Sequence, residues 1–294
     1  MTNPRSPLRY PGGKNCLFPF VANLFCENGL CGCPYVEPFA GGAGLALRLL
    51  FEEYVPLIYI NDFDPLIYAF WKSAIEESDR FCEWIERTTV TTATWQSCKN
   101  IIGKPNGHSM FDLGTSAFFL NRTNVSGVLN GGIIGGLDQR GSYKINARYN
   151  KSQLIERIHK IGRFRQRIKL SNLDGIVFLE RLNKSSEKLL IYLDPPYYEK
   201  GSGLYLNAYR EKDHMELAKM VKHLSKPWIM SYDNHAFISA LYRKYATISY
   251  SLQHSTSNKI GQEILIFCDQ IKFDSSLSFL SNPEPVGQLQ DCED

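Results

Sequence analysis

Asp194-Pro195-Pro196-Tyr197 puts a carboxylate, a prolyl peptide oxygen and an aromatic ring into four consecutive residues. Two acceptors side by side suit a planar amino group, which has two hydrogens to donate. An adjacent Tyr offers a face on which a base can stack. The plain alternative is a strand end closed by a tight Pro-Pro turn. A second group is Glu37-Pro38-Phe39-Ala40-Gly41-Gly42-Ala43-Gly44, where glycines between a strand and a helix let a ligand approach the backbone. Asp62 follows Gly41 by 21 residues, the distance at which nucleotide-binding α/β proteins place a ribose-binding acid. Asp64 competes for that role, but Pro65 beside it already explains it as a helix cap. The third group, Tyr10-Pro11-Gly12-Gly13-Lys14, offers a ring, two permissive glycines and a cation. It is no Walker A loop, since no strand leads into it and no Ser or Thr follows Lys14. Taken alone, each Gly-rich run is equally a structural turn.

These groups need elements to hold them. Short apolar runs at 35–37, 57–60, 189–193, 228–231 and 263–267 read as buried strands, and 168–170 as another, with Asp174 after it. Helical patterns alternate with them: Leu45 to Phe51; a helix opened by Asp64-Pro65; one opened by Asn150 with Gln153; and one with Asp213 and Glu216 as its capping box. Strands alternating with helices predict an α/β fold with parallel strands. Residues 103–150, rich in Gly, Asn and Ser, break the alternation and read as an inserted, loop-rich recognition region. The insert takes in the helices from about residue 71 and the basic block that follows.

The chain has 294 residues, 44% hydrophobic and 21% charged, enough to bury a sizeable core and unlike a disordered chain. No run of 18 apolar residues suggests a membrane span, and Met1 to Arg5 leads into no signal-like stretch. Eight cysteines in so long a chain read as reduced thiols of a cytosolic protein. Cys26, Cys31 and Cys33 lack matching His or further Cys for zinc, so no metal is expected. Charge is uneven. Residues 139–169 hold ten basic side chains and one acid, +9 against a chain total of +3, so the remainder carries −6. Such a block is the footprint of a polyanion binder; a solvated helix face plus a loop is the alternative.

In this order the three groups and Asp62 resemble the DNA adenine methylases, the N6-adenine methyltransferases whose recognition region lies between the cofactor and Asp-Pro-Pro-Tyr motifs. The likeness covers roughly residues 7 to 270 and includes Leu120-Asn121-Arg122-Thr123-Asn124. It implies a Rossmann-like, S-adenosylmethionine-dependent core (1–70 and 166–275), a mostly helical and loop-rich DNA-recognition insert (71–165) and a loose tail (276–294). Cofactor contacts would fall on Tyr10, Lys14, Phe39, Gly41, Asp62, Asp174 and Asp194. The catalytic motif would be Asp194, Pro195, Pro196 and Tyr197. DNA contacts would fall on Asn121, Arg122, Asn124, Arg140 and Lys144, with capping or packing as the competing role for the first three. The turn departs from the common Phe-x-Gly-x-Gly, because Ala43 takes the second Gly position. Members that methylate GATC carry a Tyr and an Arg where Val125 and Asn130 stand, so that target is not carried over.

The implied chemistry is methyl transfer to adenine N6 in double-stranded DNA. The N6 lone pair is delocalised into the ring. Asp194 and the Pro195 carbonyl would accept its two N–H bonds and aim the lone pair at the methyl. The base would have to be flipped out, at about a few kcal/mol, partly offset by stacking worth ~1–3 kcal/mol. Two other readings stand beside this one. One keeps the chemistry on RNA or a protein amide. The other is a non-catalytic DNA-binding subunit of a defence or restriction assembly, against which the intact Asp194 motif and Lys14 argue. A restriction or defence protein is a compatible partner, and the expected location is the cytoplasm of a bacterial or phage-infected cell.

Overall fold

The computed structural model describes residues 6–10, 12–199, 209–253 and 260–286. Strands β1 (Tyr35–Glu37), β2 (Ile58–Asn61), β3 (Ile168–Ser171), β4 (Leu190–Leu193), β5 (Trp228–Asp233), β6 (Ala246–Gln253), β7 (Ile260–Phe267) and β8 (Glu284–Pro285) form one sheet in the order β3-β2-β1-β4-β5-β7-β6-β8. The first five run parallel, and β7 enters antiparallel between β5 and β6. β4 and β5 are buried along their whole length, as continuous apolar runs covered on both faces should be. The expected α/β, Rossmann-like core is this sheet. Its strand order reverses between β1 and β4, and ligands of such sheets bind beyond the strands' carboxyl ends at that point.

Helix α2 (Gly44–Phe51) follows β1, and α3 (Pro65–Glu76) follows β2, capped by Asp64 accepting from Leu66 N with Pro65 at the first position. Between α3 and β3 come α4 (Ser78–Arg87), α5 (Thr92–Gly103), α6 (Met110–Thr123) and α7 (Lys151–Arg163). α6 packs on α3 and α5, and α7 on α4 and α3. The α3–α6 crossing is close: a Cβ on Gly114 would lie 2.4 Å from the Ala69 carbonyl oxygen. Phe70 and Phe118 stack across it at 5.8 Å. α8 (Gly175–Asn183), α9 (Glu211–Lys222) and α10 (Ala236–Leu241) complete the core, and α1 (Phe18–Glu27) precedes β1.

Three expectations need correction. The stretch 103–150 is loop-rich only from residue 124, because residues 110–123 form α6, opened by a Ser109–Asp112 capping box. Asp213 is not the cap of α9. That helix starts at Glu211, and the Asp213 carboxylate reaches back to the Arg210 backbone N–H at 2.8 Å. The expected start of the insert, residue 71, falls within the continuous helix α3. The tail is not loose over 275–286. Glu27 accepts from Ser275 and Ser276, Ser276 is fully buried, and β8 pairs with β6. Residues 287–294 lie outside the described residues. Strand β6 was not expected at all.

Candidate active site

The carboxyl ends of β1, β2 and β4 deliver Glu37, Asp62 and Asp194 to one place. All seven residues expected at a cofactor, Tyr10, Lys14, Phe39, Gly41, Asp62, Asp174 and Asp194, line one open cavity of ≈ 290 Å³. Pro196 and Asn121 line it too.

The turn after β1 is shaped by close approach. Gly41 has φ +47, and a Cβ there would lie 2.4 Å from the Tyr10 ring. Trp71 of α3 fixes this turn by donating its indole N–H to the Gly41 carbonyl at 2.9 Å. Ala43 takes a left-handed conformation (φ 44, ψ 33) directly before α2, so the departure from Gly falls on a strained position. Asp62 closes the turn from the other side. Its Oδ2 accepts from Gly41 N at 2.7 Å, and its Oδ1 from Asp64 N at 2.9 Å. Loss of solvent pushes its pKa up to about 7, against the pull of those two N–H groups. Asp174 caps α8, accepting from Ile176 N and Val177 N.

Asp194 is one-quarter exposed and held by a single oxygen. Oδ1 accepts from Ser231 Oγ at 2.7 Å and lies 3.0 Å from Lys14 Nζ. Among the described residues nothing donates to Oδ2. Burial pushes the Asp194 pKa up, and Glu263 adds to the rise, while Lys14 and the Ser231 hydroxyl pull it down. Lys14 is almost fully buried, donates to the Gly12 carbonyl at 2.7 Å and lies 5.0 Å from the centre of the Tyr197 ring. Tyr197 departs from expectation: it is only 7% exposed, packed under that ammonium, and does not line the cavity. The Lys14 ammonium sits over one face of the ring. Pro195 is buried as well.

The expected DNA contacts divide. Asn121 and Asn124 are 1% and 0% exposed. Asn121 accepts from Arg9 N and donates to the Arg9 and Gly127 carbonyls. Asn124 accepts from Trp95 Nε1 and donates to the Val128 and Leu129 carbonyls. With their amide hydrogens spent inside the chain, these two brace the 124–132 loop against the N-terminal segment, the packing role weighed against DNA contact. Arg122 donates to the Arg148 carbonyl, and burial with the neighbouring Arg9 and Arg157 pushes its pKa down to about 9. Arg140 and Lys144 are exposed.

Several residues escaped the sequence reading. Fully buried Asn61 ties three strand ends together: it donates to the Pro38 and Leu173 carbonyls and accepts from Ser171 and Leu173. Asp233, at the end of β5, accepts from Tyr198 N and Glu199 N and so holds the chain beyond Tyr197. Glu37, singled out at the head of the glycine-rich group but given no role there, accepts from Tyr35 Oη and Ala46 N, and burial pushes its pKa up to about 8. Phe63, 54% exposed, and Tyr209 line the cavity mouth, Tyr209 meeting Phe39 edge-on at 5.9 Å. A polar residue ending an apolar strand is the signal Asn61, Asp233 and Glu37 share.

Among the described residues no helix is long and apolar enough to cross a membrane. A family model described as D12 class N6 adenine-specific DNA methyltransferase matches residues 10–256, most of the chain. No curated protein matches it.

Proposed function

The chain belongs to the D12 class N6 adenine-specific DNA methyltransferases, and from that premise we propose that it moves the methyl of S-adenosylmethionine to N6 of an adenine flipped out of duplex DNA, using Asp194 as the acceptor for the amino group. That it is an enzyme methylating adenine in DNA follows from the family. This sets aside the readings as an RNA or amide methyltransferase and as a non-catalytic subunit. The cofactor, the flipped base and the residue roles are the proposal, as is the division into core and recognition insert.

One observation carries it: Asp194 is anchored through Oδ1 by Lys14 and Ser231, with Oδ2 given no donor among the described residues, in a cavity wall. A carboxylate fixed at one oxygen and open at the other is pre-set to receive an N–H donor without rearranging. The cavity's donor set suits the cofactor. Asp62 keeps lone pairs for vicinal hydroxyls after its two backbone bonds. Gly41 keeps backbone within reach, and Phe39, Phe63 and Tyr10 supply apolar faces.

When bound, S-adenosylmethionine would supply an electrophilic methyl for N6, with a neutral thioether as its leaving group. Asp194 Oδ2 accepts one N–H, orients the amino group's lone pair and takes up the proton that N6 sheds. The Pro195 carbonyl accepts the other N–H. Lys14 keeps Asp194 ionised and in place. Asn121 and Asn124 fix the 124–132 loop at the cavity edge, where it braces the DNA around the extruded base. Arg140 and Lys144 hold phosphates.

Extrusion is tested with duplexes carrying 2-aminopurine in place of single adenines. A fluorescence rise on adding protein with S-adenosylhomocysteine is expected at the target position. No rise at any adenine of a duplex the enzyme methylates would contradict extrusion.

A further inference from the structure

Glu263, on β7, does not line the cavity, yet it completes the charge arrangement behind Asp194. It is 1% exposed and pairs across the sheet with Asp233 of β5 and Tyr250 of β6. Its Oε2 accepts from Tyr250 Oη at 2.9 Å and lies 3.6 Å from Lys14 Nζ. Its Oε1 is shut off from solvent with no hydrogen-bond partner. A buried carboxylate with an unsatisfied oxygen is costly, and nothing in the packing of β7 requires one there. Lys14 therefore bridges two acids, Asp194 at 3.0 Å and Glu263 at 3.6 Å, and the buried trio carries a net −1 when all three are ionised.

We infer that Glu263 is a positioning residue for methyl transfer: it orients Lys14 toward Asp194 and keeps the trio negative, so that Lys14 holds Asp194 without neutralising it. This rests on the reading of Asp194 as the acceptor of the adenine amino group. During transfer, positive charge passes onto N6 beside Asp194. A lysine paired with Asp194 alone would leave no net charge to meet it. The second carboxylate restores the attraction from a largely buried position, where such attraction is stronger than in water.

The groups facing Asp194 come from every neighbouring element. Lys14 lies in the N-terminal turn, Tyr35 and Glu37 on β1, Tyr192 on β4, and Ser231 and Tyr232 on β5. Tyr197 lies in the same loop as Asp194 and Glu263 on β7, with Tyr250 of β6 behind it, donating to Glu263. Of the acids among them, Glu263 contributes directly to raising the Asp194 pKa. The others are shared by wild type and a Glu263 variant, so a difference between the two reports Glu263.

The test is the pH dependence of single-turnover methyl transfer to duplex DNA by Glu263→Gln, with melting temperature and S-adenosylmethionine affinity measured alongside. The plateau rate is expected to fall at least 10-fold with cofactor affinity kept within 3-fold, and the acid limb to move to lower pH by half a unit or more. A purely structural role would lower the rate without moving the limb. In a Lys14→Met background the sign reverses: the same change removes repulsion between two uncompensated acids and is expected to be neutral or to raise the rate. If Glu263→Gln does not fold, Glu263→Asp, which draws the carboxylate away from Lys14, is expected to lower the plateau rate at least 3-fold. A folded Glu263→Gln protein with wild-type rate and limb, or wild-type kinetics in Glu263→Asp, overturns the inference. Asp194→Asn, run in parallel, separates the two claims: if it remains active, the reading of Asp194 fails, whatever Glu263 does.

Discussion

At the scale of single residues, Asp194 must be ionised to accept an N–H, and burial makes ionisation harder. Below its pKa the carboxyl is protonated and Oδ2 is lost as a free acceptor, so the rate should rise with pH through a limb lying above the usual carboxylate range near 4. A pH profile of kcat/KM checks this, and a limb at or below pH 4 would contradict it. Glu37 gives a second titration with a separate readout. Its pKa is raised to about 8 in the fold, so the native state holds a proton that the unfolded chain releases near 4.5. Stability should therefore fall as pH rises from about 4.5 to 8. Glu37→Gln keeps an acceptor oxygen for Tyr35 and Ala46 and should flatten that decline, by an amount on the order of a few kcal/mol at most. Melting temperatures of the two proteins across this range decide it. Asp194, Lys14 and Asp62 were legible in the sequence because their chemistry announces itself in short motifs. Glu263 was not, because its partner Lys14 lies 249 residues earlier and only strand pairing brings them together. Asn121 and Asn124 were legible as important but not in role: a motif shows polar side chains, and only packing shows that their amides are spent on Arg9 and the 124–132 loop.

At the scale of elements, two close approaches set the geometry. Gly41→Ala would force Ala into a left-handed φ, at roughly 1 kcal/mol, and drive its Cβ into Tyr10. Calorimetry should show a cofactor Kd raised about 10-fold, equivalent to ~1.4 kcal/mol. Unchanged affinity would remove Tyr10 and this turn from the cofactor site. Gly114→Ala tests the α3–α6 crossing. Helix propensity favours Ala by about 1 kcal/mol, but the new methyl meets a backbone carbonyl that side-chain motion cannot clear. Overpacking of this kind costs about 1–3 kcal/mol, so denaturant titration should show net destabilisation. The strands of the parallel core were legible because apolar runs buried on both faces leave no other reading. β6, with its Ile248, Tyr250 and Leu252 alternation, and the packed tail were not. β6 is held by β7 and β8, and the tail's polar residues are buried through bonds to Glu27, which no local pattern reveals.

Over the whole molecule, the basic block proves to be of two kinds. Arg167 pairs with Glu53 and donates to the Pro56 and Val55 carbonyls, Arg157 donates to the Ser6 carbonyl, and Lys151 to that of Glu86. These fasten segments distant in the chain to one another. Arg140 and Lys144 stand exposed on the loop before α7, Lys144 donating only to the Gln139 carbonyl of the same loop among the described residues. Arg140→Ala and Lys144→Ala should each weaken duplex binding and lower the slope of log K against log salt by about one. Arg167→Ala should lower melting temperature and leave the slope unchanged. The net charge of the block was readable from the sequence, but which cations are spent on carbonyls depends on chain neighbours as far as 151 residues away.

The most direct measurement is the quantity of N6-methyladenine formed in duplex DNA by wild-type protein and by Asp194→Ala, determined by mass spectrometry of the digested nucleosides under single-turnover conditions. Wild type is expected to form it, and the variant to bind S-adenosylmethionine and DNA yet form it at a rate about 10²–10⁴-fold lower, the range for losing a positioned acid–base group. N6-methyladenine formed by the variant at the wild-type rate would contradict the assignment of Asp194 as the acceptor.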